Sequence, residues 1–516
     1  MPGSTFRRTC CTTRLRPVLV LLNFDSASLP LLERMMDDGR LPTVADLFRR
    51  GRRYALETPA GTFPSACYPV LYSGLDLSEH GLYYTFLWSP AEQRIRYIDR
   101  FPSPPSAWEA VSAAGARVLV VDPYEASLPG QLNGYCLAGW QFRNRVVLPG
   151  WSRPRPALSR FSRSFGRPPS LDEVFGTQSL PLLRTMQRNL LAAPKRVSDL
   201  VKQLLSRERF DLLWLTFSAA HLAGHQFWDL SQLSGTDLET AKTDGLQDTL
   251  EDVYEKIDSA LAEILAAIPA DAEIVLFSVL GMGPNTSRVD FLPDMLNAVL
   301  GEGGSENGAV PGSRLWRLRA AVPTRLRTQI AGSLPRRAVI ELTTRLETRG
   351  TDWSKVRAFS LPSDAVGYIR LNLRGRERDG TVAPGDADAL IDEIVGGLSS
   401  FTDPDGAPSI AAVERVPDGS PRPDRPALPD LLVRWNERPA TRQDRVLSPR
   451  FGEVLRRGQG SGRSGNHNSD AWAVVVAPAA RQSHDDGPSR VVDLAATVCA
   501  TFRAETERLA GEPFLG

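Results

Sequence analysis

Cysteine is scarce in this 516-residue chain: five residues, Cys10, Cys11, Cys67, Cys136 and Cys499, with no CxxC pair among them. An even disulfide framework and a thiolate metal knuckle are thereby excluded, and a reduced, cytoplasmic setting is expected. An excess of either charge is also missing, with 61 Lys and Arg against 60 Asp and Glu. Nucleic acid and anionic membranes are therefore not expected as partners, since both select a strongly basic surface. No uncharged apolar run approaches the ~20 residues that span a bilayer. The stretch Pro17–Phe24 follows Arg7 and Arg8 as a signal peptide would, yet it contains Asn23, runs into Asp25 and lacks a small-residue cleavage site, so it reads as a buried strand. Lysine numbers five against 56 arginines, a skew that coding bias explains more simply than anion binding. Histidine is as rare, at five residues, which gives the position of each some weight.

What is present is an ordinary globular balance, 42% hydrophobic and 23% charged. The length accommodates about three units of ~150 residues, or one large core with insertions. Four apolar runs, Pro17–Phe24, Ala116–Val121, Phe210–Phe217 and Glu273–Phe277, have the composition of central strands in a largely parallel sheet. A fifth, Ala471–Ala477, returns to that sheet. Helical spacing separates them, as in Leu29–Arg50, interrupted at Gly39, and in Gln247–Ile268. The expected fold is α/β, a largely parallel sheet flanked by helices. Residues 1–143, 208–290 and 458–516 are assigned to the core, 144–207 to a helical insertion and 291–457 to a cap. The Gly/Ser/Arg stretch Arg457–Gly465 reads as a flexible surface loop.

Ligands of open α/β sheets bind beyond the carboxyl ends of the strands, so polar residues there come first. Asp25 follows the first strand, where a carboxylate serves as a metal ligand or caps the next helix. His221 and His225 follow the Phe210 run at i, i+4, which places two imidazoles on one helix face, as a metal ion requires; a structural pair has the same spacing. His467 stands in a polar loop before the last apolar run and by itself reads as a surface histidine. Thr62, Ser65 and Cys67 precede a helical pattern and offer a nucleophile or a cap; without an identifiable base, Cys67 reads as an inert thiol. His80 and His484 read as turn and loop residues.

Taken in order, Val18–Asp25, Gly39–Leu47, Thr62–Pro64, Ser73–Gly74, Glu79–Gly81, His221–His225, Gly281–Gly283, Tyr368–Arg376, Pro429–Val433, Gly465–His467 and Val492–Ala496 resemble the alkaline phosphatase superfamily. Within it, they are similar to the type I phosphodiesterase/nucleotide pyrophosphatase proteins. The resemblance implies two cations flanking a Thr or Ser nucleophile. His221, His225 and His467 correspond to the ligands of one cation, with His221 where many members have Asp. Asp25 and Thr62 correspond to the other site, but its Asp-His pair is replaced by Val279 and Leu280. One zinc ion, with at most a weak second, is therefore implied. Thr62 is the implied catalytic hydroxyl, acting with Asp25. Ser65 is the alternative, because the interval from Thr62 to Gly74 is longer than usual by two residues. Ser65, Asn285 and Asp470 are placed as substrate-binding.

The expected activity is hydrolysis or transfer of a phosphate ester or diester, on a small anionic substrate, through a single zinc site. An Arg-rich segment from Arg314 to Arg337 offers an anion-binding surface that could stand in for the missing cation, with a solvated helical face as the simpler reading. Two alternatives stay open: a repurposed zinc enzyme with non-phosphoryl chemistry on a biosynthetic intermediate, and a non-catalytic binding scaffold. The oligomeric state is left open.

Overall fold

A computed structural model describes residues 16–143, 150–171, 178–301, 344, 351–417, 425–456, 460–481, 488–504 and 509–515. The Arg314–Arg337 cluster and His484 lie outside the described residues.

The five apolar runs are strands of one nine-stranded sheet. In chain order its members are β1 (Leu19–Asn23), β2 (Arg52–Glu57), β3 (Val118–Val121), β4 (Gly134–Ala138), β5 (Trp151–Arg153), β6 (Leu212–Thr216) and β7 (Glu273–Ser278). After them come β8 (Gly281–Pro284), a ribbon strand outside this sheet, then β9 (Ala358–Leu361), β10 (Gly367–Leu371), β11 (Ile410–Arg415), β12 (Leu431–Trp435), β13 (Gly465–Asn468), β14 (Ala471–Val476) and β15 (Ser489–Arg490). The large sheet runs β15-β2-β14-β7-β1-β6-β3-β4-β5. Its centre, β7-β1-β6-β3-β4, is parallel, whereas β14 returns antiparallel between β2 and β7.

Parallel strands need cover on both faces, which is why β1 is apolar at nearly every position. Alternation sends Val20 and Leu22 into one core cluster and Leu19 and Leu21 into another, on opposite faces of the sheet. The expected helix over 29–50 is two helices, α1 (Leu29–Asp37) and α2 (Pro42–Arg50). Gly39 breaks it in the left-handed region, φ +73°, and Pro42 opens the second helix.

The register levels the carboxyl ends of the three central strands: Asn23 lies opposite Thr216 of β6 and Phe277 of β7. Asp25, the His221 helix and Val279–Leu280 all emerge at that edge. A smaller antiparallel sheet, β9-β10-β12-β11, packs over it. Its apolar side joins Tyr368 to Phe63 and Tyr83 in one cluster. The Tyr368 hydroxyl donates to the Thr62 carbonyl (2.9 Å) and Arg434 donates to the Gly61 carbonyl (2.5 Å), so this second sheet presses residues 61–65 into place.

The Arg457–Gly465 stretch departs from the flexible-loop expectation at its carboxyl end. Gly462, Arg463, Ser464 and Gly465 are buried. Asn285 donates to the Arg463 carbonyl (2.8 Å), the Ser464 N–H to the His225 carbonyl (2.9 Å) and the Asn285 N–H to the Ser464 carbonyl (2.8 Å), and these bonds satisfy a backbone that would otherwise be buried unpaired.

Candidate functional site

His221 and His225 lie on α3 (Ala219–Phe227), which starts three residues after β6 and is buried along its whole length. His467 lies on β13, which pairs antiparallel with β8 and sets His467 opposite Met282. Two glycines allow helix and ribbon to meet. A Cβ on Gly465 would stand 2.2 Å from the Gly224 carbonyl oxygen, and one on Gly224 would stand 2.7 Å from the Met282 side chain. With both absent, the three imidazole rings form a near-equilateral triangle, centroids 4.9, 4.7 and 4.7 Å apart. One ligand nitrogen from each lies within 4.8 Å of the others, and among the described residues this is the group suited to hold a metal ion.

The ring orientations suit a cation. His225 donates from Nδ1 to the Gly465 carbonyl (2.9 Å), which fixes the tautomer and leaves Nε2 as the lone-pair donor. His221 turns Nδ1 to Asp25 Oδ2 (3.3 Å), Ser26 Oγ (3.0 Å) and the Tyr68 hydroxyl (3.2 Å). His467 is buried at its Nδ1, which makes no well-formed hydrogen bond although the Gly281 carbonyl acts on the ring, so a nitrogen of this imidazole remains to meet a cation. Burial, with the Arg463 charge beside it, holds His225 well below the ordinary imidazole range. Burial takes His467 down to about 4. Neutral imidazoles are the form a metal ion needs, and three of them with an open position are the donor set of a zinc-type site.

Asp25 is buried behind His221 and accepts from the Tyr68 hydroxyl at Oδ1 (2.8 Å). Its carboxylate thus orients an imidazole, as carboxylates do behind metal-binding histidines. The neighbouring Ser26 holds a positive φ of 58°, and Asp122 and Glu125, beyond β3, hold 53° and 56°; these sparsely populated conformations lie at the ligand edge of the sheet.

Ser65 lines the pocket with the three histidines, Tyr68, Tyr124, Glu125, Asp364, Tyr368 and Arg463. Thr62 does not line it: its hydroxyl donates to the Pro59 carbonyl (3.0 Å). Cys67 sits in the apolar core, where burial pushes its thiol up to about 12. Asn285 braces the Arg463–Ser464 backbone, and Asp470 is exposed, accepting from Asn468 (3.0 Å). Val279 and Leu280 are fully enclosed in the core cluster that also holds Cys67, Tyr68 and Leu71. The described residues bring no second set of ligands to that flank.

Sequence reasoning did not find Tyr68, Tyr124, Glu125, Asp364 or Arg463. Tyr68 follows Ser65 at helical spacing and Arg463 precedes His467 by four residues, the only local signals either carried. A larger cavity of about 600 Å³, lined by Tyr72, Trp108, Phe142 and Trp151 among others, adjoins the histidine pocket and shares Tyr124 and Glu125 with it.

No curated protein sequence matches the chain. Among solved structures it is similar to a multiply substituted alkaline phosphatase PafA, with TM-score 0.54 and 12% identity over 97% of this chain and 99% of that one. It is also similar to phosphonoacetate hydrolase from Sinorhizobium meliloti 1021 in complex with phosphonoformate, with TM-score 0.49 and 15% identity over 94% and 96% of the two chains. Murine ectonucleotide pyrophosphatase/phosphodiesterase 5, in complex with AMP, gives TM-score 0.49 and 10% identity over 97% and 100%. The family described as type I phosphodiesterase/nucleotide pyrophosphatase matches residues 19–439. That match agrees with the family resemblance read from the sequence, the largely parallel sheet agrees with the expected α/β fold, and the chain belongs to the type I phosphodiesterase/nucleotide pyrophosphatase family, with a hydrolase-type enzyme as its class.

Proposed function

We propose that the protein is a single-metal hydrolase of a small-molecule phosphate ester or diester, with zinc held by His221, His225 and His467. The observation that carries this reading is the convergence of three imidazoles on one pocket that Ser65 also lines. Water adds across a P–O bond of the ester, releasing the alcohol and leaving the added oxygen on phosphorus. When bound, a divalent cation on this triad supplies Lewis acidity to a phosphoryl oxygen. The chain's own residues do the rest. Asp25 and Tyr68 hold His221, the Gly465 carbonyl holds His225, and Ser65 is the hydroxyl placed to attack or position the phosphoryl group. Thr62 is the alternative nucleophile. The adjoining cavity, whose lining includes Tyr72, Trp108, Phe142 and Trp151 as well as carboxylates such as Glu109 and Asp122, is proposed to take the organic part of the ester.

The test is metal content by elemental analysis together with phosphodiester hydrolysis, on the wild type, His221→Ala, Ser65→Ala and Thr62→Ala. The expected result is about one zinc per chain, lost with hydrolysis in His221→Ala, and a large fall in kcat in Ser65→Ala with Thr62→Ala little changed. A reversal of the last two would return the catalytic hydroxyl to Thr62. One zinc without phosphodiester hydrolysis would favour the second reading, a repurposed zinc enzyme, which the burial of Val279 and Leu280 supports. Absence of metal from the purified protein would leave a binding scaffold.

A further inference from the structure

Among the described residues the cleft offers ligands for one cation, with Val279 and Leu280 where the resemblance implies a second set, yet the phosphoryl group of the proposed reaction carries its full negative charge. Something else has to meet that charge. The Arg-rich segment from Arg314 to Arg337 lies outside the described residues, but another guanidinium is already in the pocket. Arg463 is only 4% exposed and lines the same cavity as the three histidines, Ser65 and Tyr68. It is ion-paired with Asp364, which lines that cavity too. Burying an arginine is costly unless its charge is met, so a buried arginine at a ligand pocket calls for an explanation.

Its backbone is held as firmly as its side chain. Asn285 and Thr441 donate to its carbonyl (2.8 and 3.3 Å), and its N–H donates to Ser461 Oγ (3.3 Å). The next residue is tied to the His225 carbonyl (2.9 Å). The segment that carries Arg463 is therefore anchored to the helix that carries two of the ligands. The Arg463 charge also contributes to lowering both His225 and His467, which places its field on the triad.

We propose that Arg463 takes over the electrostatic part of the lost cation: its guanidinium binds the non-bridging oxygens of a tetrahedral phosphoryl-type oxyanion beside the three imidazoles. Asp364 is the internal counter-ion that the anion displaces or shares. A planar guanidinium suits two oxygens of one phosphoryl group, which an ammonium does not reproduce. The inference deepens the phosphoester reading, and it does not depend on which hydroxyl attacks.

The test is calorimetric titration of inorganic phosphate into wild type, Arg463→Met, Arg463→Lys and Asp364→Asn, each zinc-loaded and after EDTA treatment, with zinc stoichiometry and thermal unfolding measured on the same samples. Arg463→Met is expected to weaken phosphate at least tenfold with zinc stoichiometry unchanged, and Arg463→Lys to recover part of the loss. Asp364→Asn is expected to tighten phosphate several-fold, because it removes the competing carboxylate. A purely structural ion pair predicts otherwise: both partners' variants would lower the unfolding temperature and weaken phosphate alike, and that outcome overturns the proposal. So does phosphate binding in Arg463→Met equal to wild type. If Arg463→Met does not fold, the opposite signs expected of Arg463→Lys and Asp364→Asn decide the matter. Arg463-dependent phosphate binding without phosphodiester hydrolysis would sink the proposed activity and keep the anion site. Hydrolysis with Arg463-independent phosphate binding would do the reverse, and a wild type that binds no phosphate in either form would overturn both.

Discussion

The two flanks of the cleft beyond β1, β6 and β7 are built from opposite materials. One carries three imidazoles, each reaching the cleft from α3 or β13, with Asp25 and the Gly465 carbonyl behind them. The other presents Val279 and Leu280 at the end of β7, sealed into the core with Cys67 and Leu71. The strands and their level register are common to both. The histidine set can thus keep its geometry whatever fills the opposite flank, because the two flanks hang from different elements.

The largest effect expected from breaking this asymmetry is at His225. Its replacement by alanine should abolish zinc binding and hydrolysis, beyond the ~10–100-fold that loss of an outer-sphere partner costs, as elemental analysis and phosphodiester turnover will report. On the other flank, the double variant Val279→Asp, Leu280→His is expected to lose about 2–5 kcal/mol of stability in denaturant titration without gaining a second zinc, since it inserts polar groups into a closed apolar cluster. Recovery of two zinc ions per chain would show that the flank is only dormant. Smaller is the effect of Asp25→Asn: zinc affinity should fall by ~10–100-fold with the fold intact, measured by competition with a chelator. Retention of full affinity would mean that Asp25 does not orient His221.

His80 supplies the control, a buried histidine that belongs to no cluster of metal-ligating side chains among the described residues. Burial, with Arg425 nearby, takes it down to about 4, and its Nδ1 accepts from the Leu82 N–H (3.0 Å). Below pH 6.5 the unfolded chain takes up a proton that the folded chain refuses, so this contribution to stability is complete above about pH 6.5 and is lost as pH falls toward 4. His80→Asn is expected to flatten the fall in stability across that window by about 1–3 kcal/mol. An unchanged pH profile of denaturant midpoints would show that His80 does not titrate as its burial implies.

Much of the fold was legible because parallel strands announce themselves: β1, β3, β6 and β7 are apolar on both faces, and the last apolar run joins the same sheet. The i, i+4 spacing of His221 and His225 was legible too, and so was the apolar pair Val279 and Leu280 that the structure buries in the core. The position of His467 was not visible without the family resemblance, since it depends on β8–β13 pairing across 184 intervening residues of register that no local pattern encodes. Arg463 was hidden for a different reason. A Gly/Ser-rich segment has the composition of a solvated loop, and only tertiary hydrogen bonds, from Asn285 and to the His225 carbonyl, turn its end into buried structure. Thr62 and Ser65 share one short segment, and spacing does not reveal that Ser65 lines the pocket while Thr62 is tied to the Pro59 carbonyl and to Tyr368.

The wall between the two cavities has a thermodynamic meaning. Tyr124 borders the larger chamber and also meets His221 edge-on, with ring centroids 5.4 Å apart. One side chain therefore feels both a guest in the large chamber and the ring that would hold the cation. Whatever factor a guest leaning on Tyr124 imposes on cation affinity, the cation imposes the same factor on the guest. In the proposed enzyme, selectivity for the organic group and occupancy of the triad would, through that one ring, be a single linked quantity rather than two independent ones.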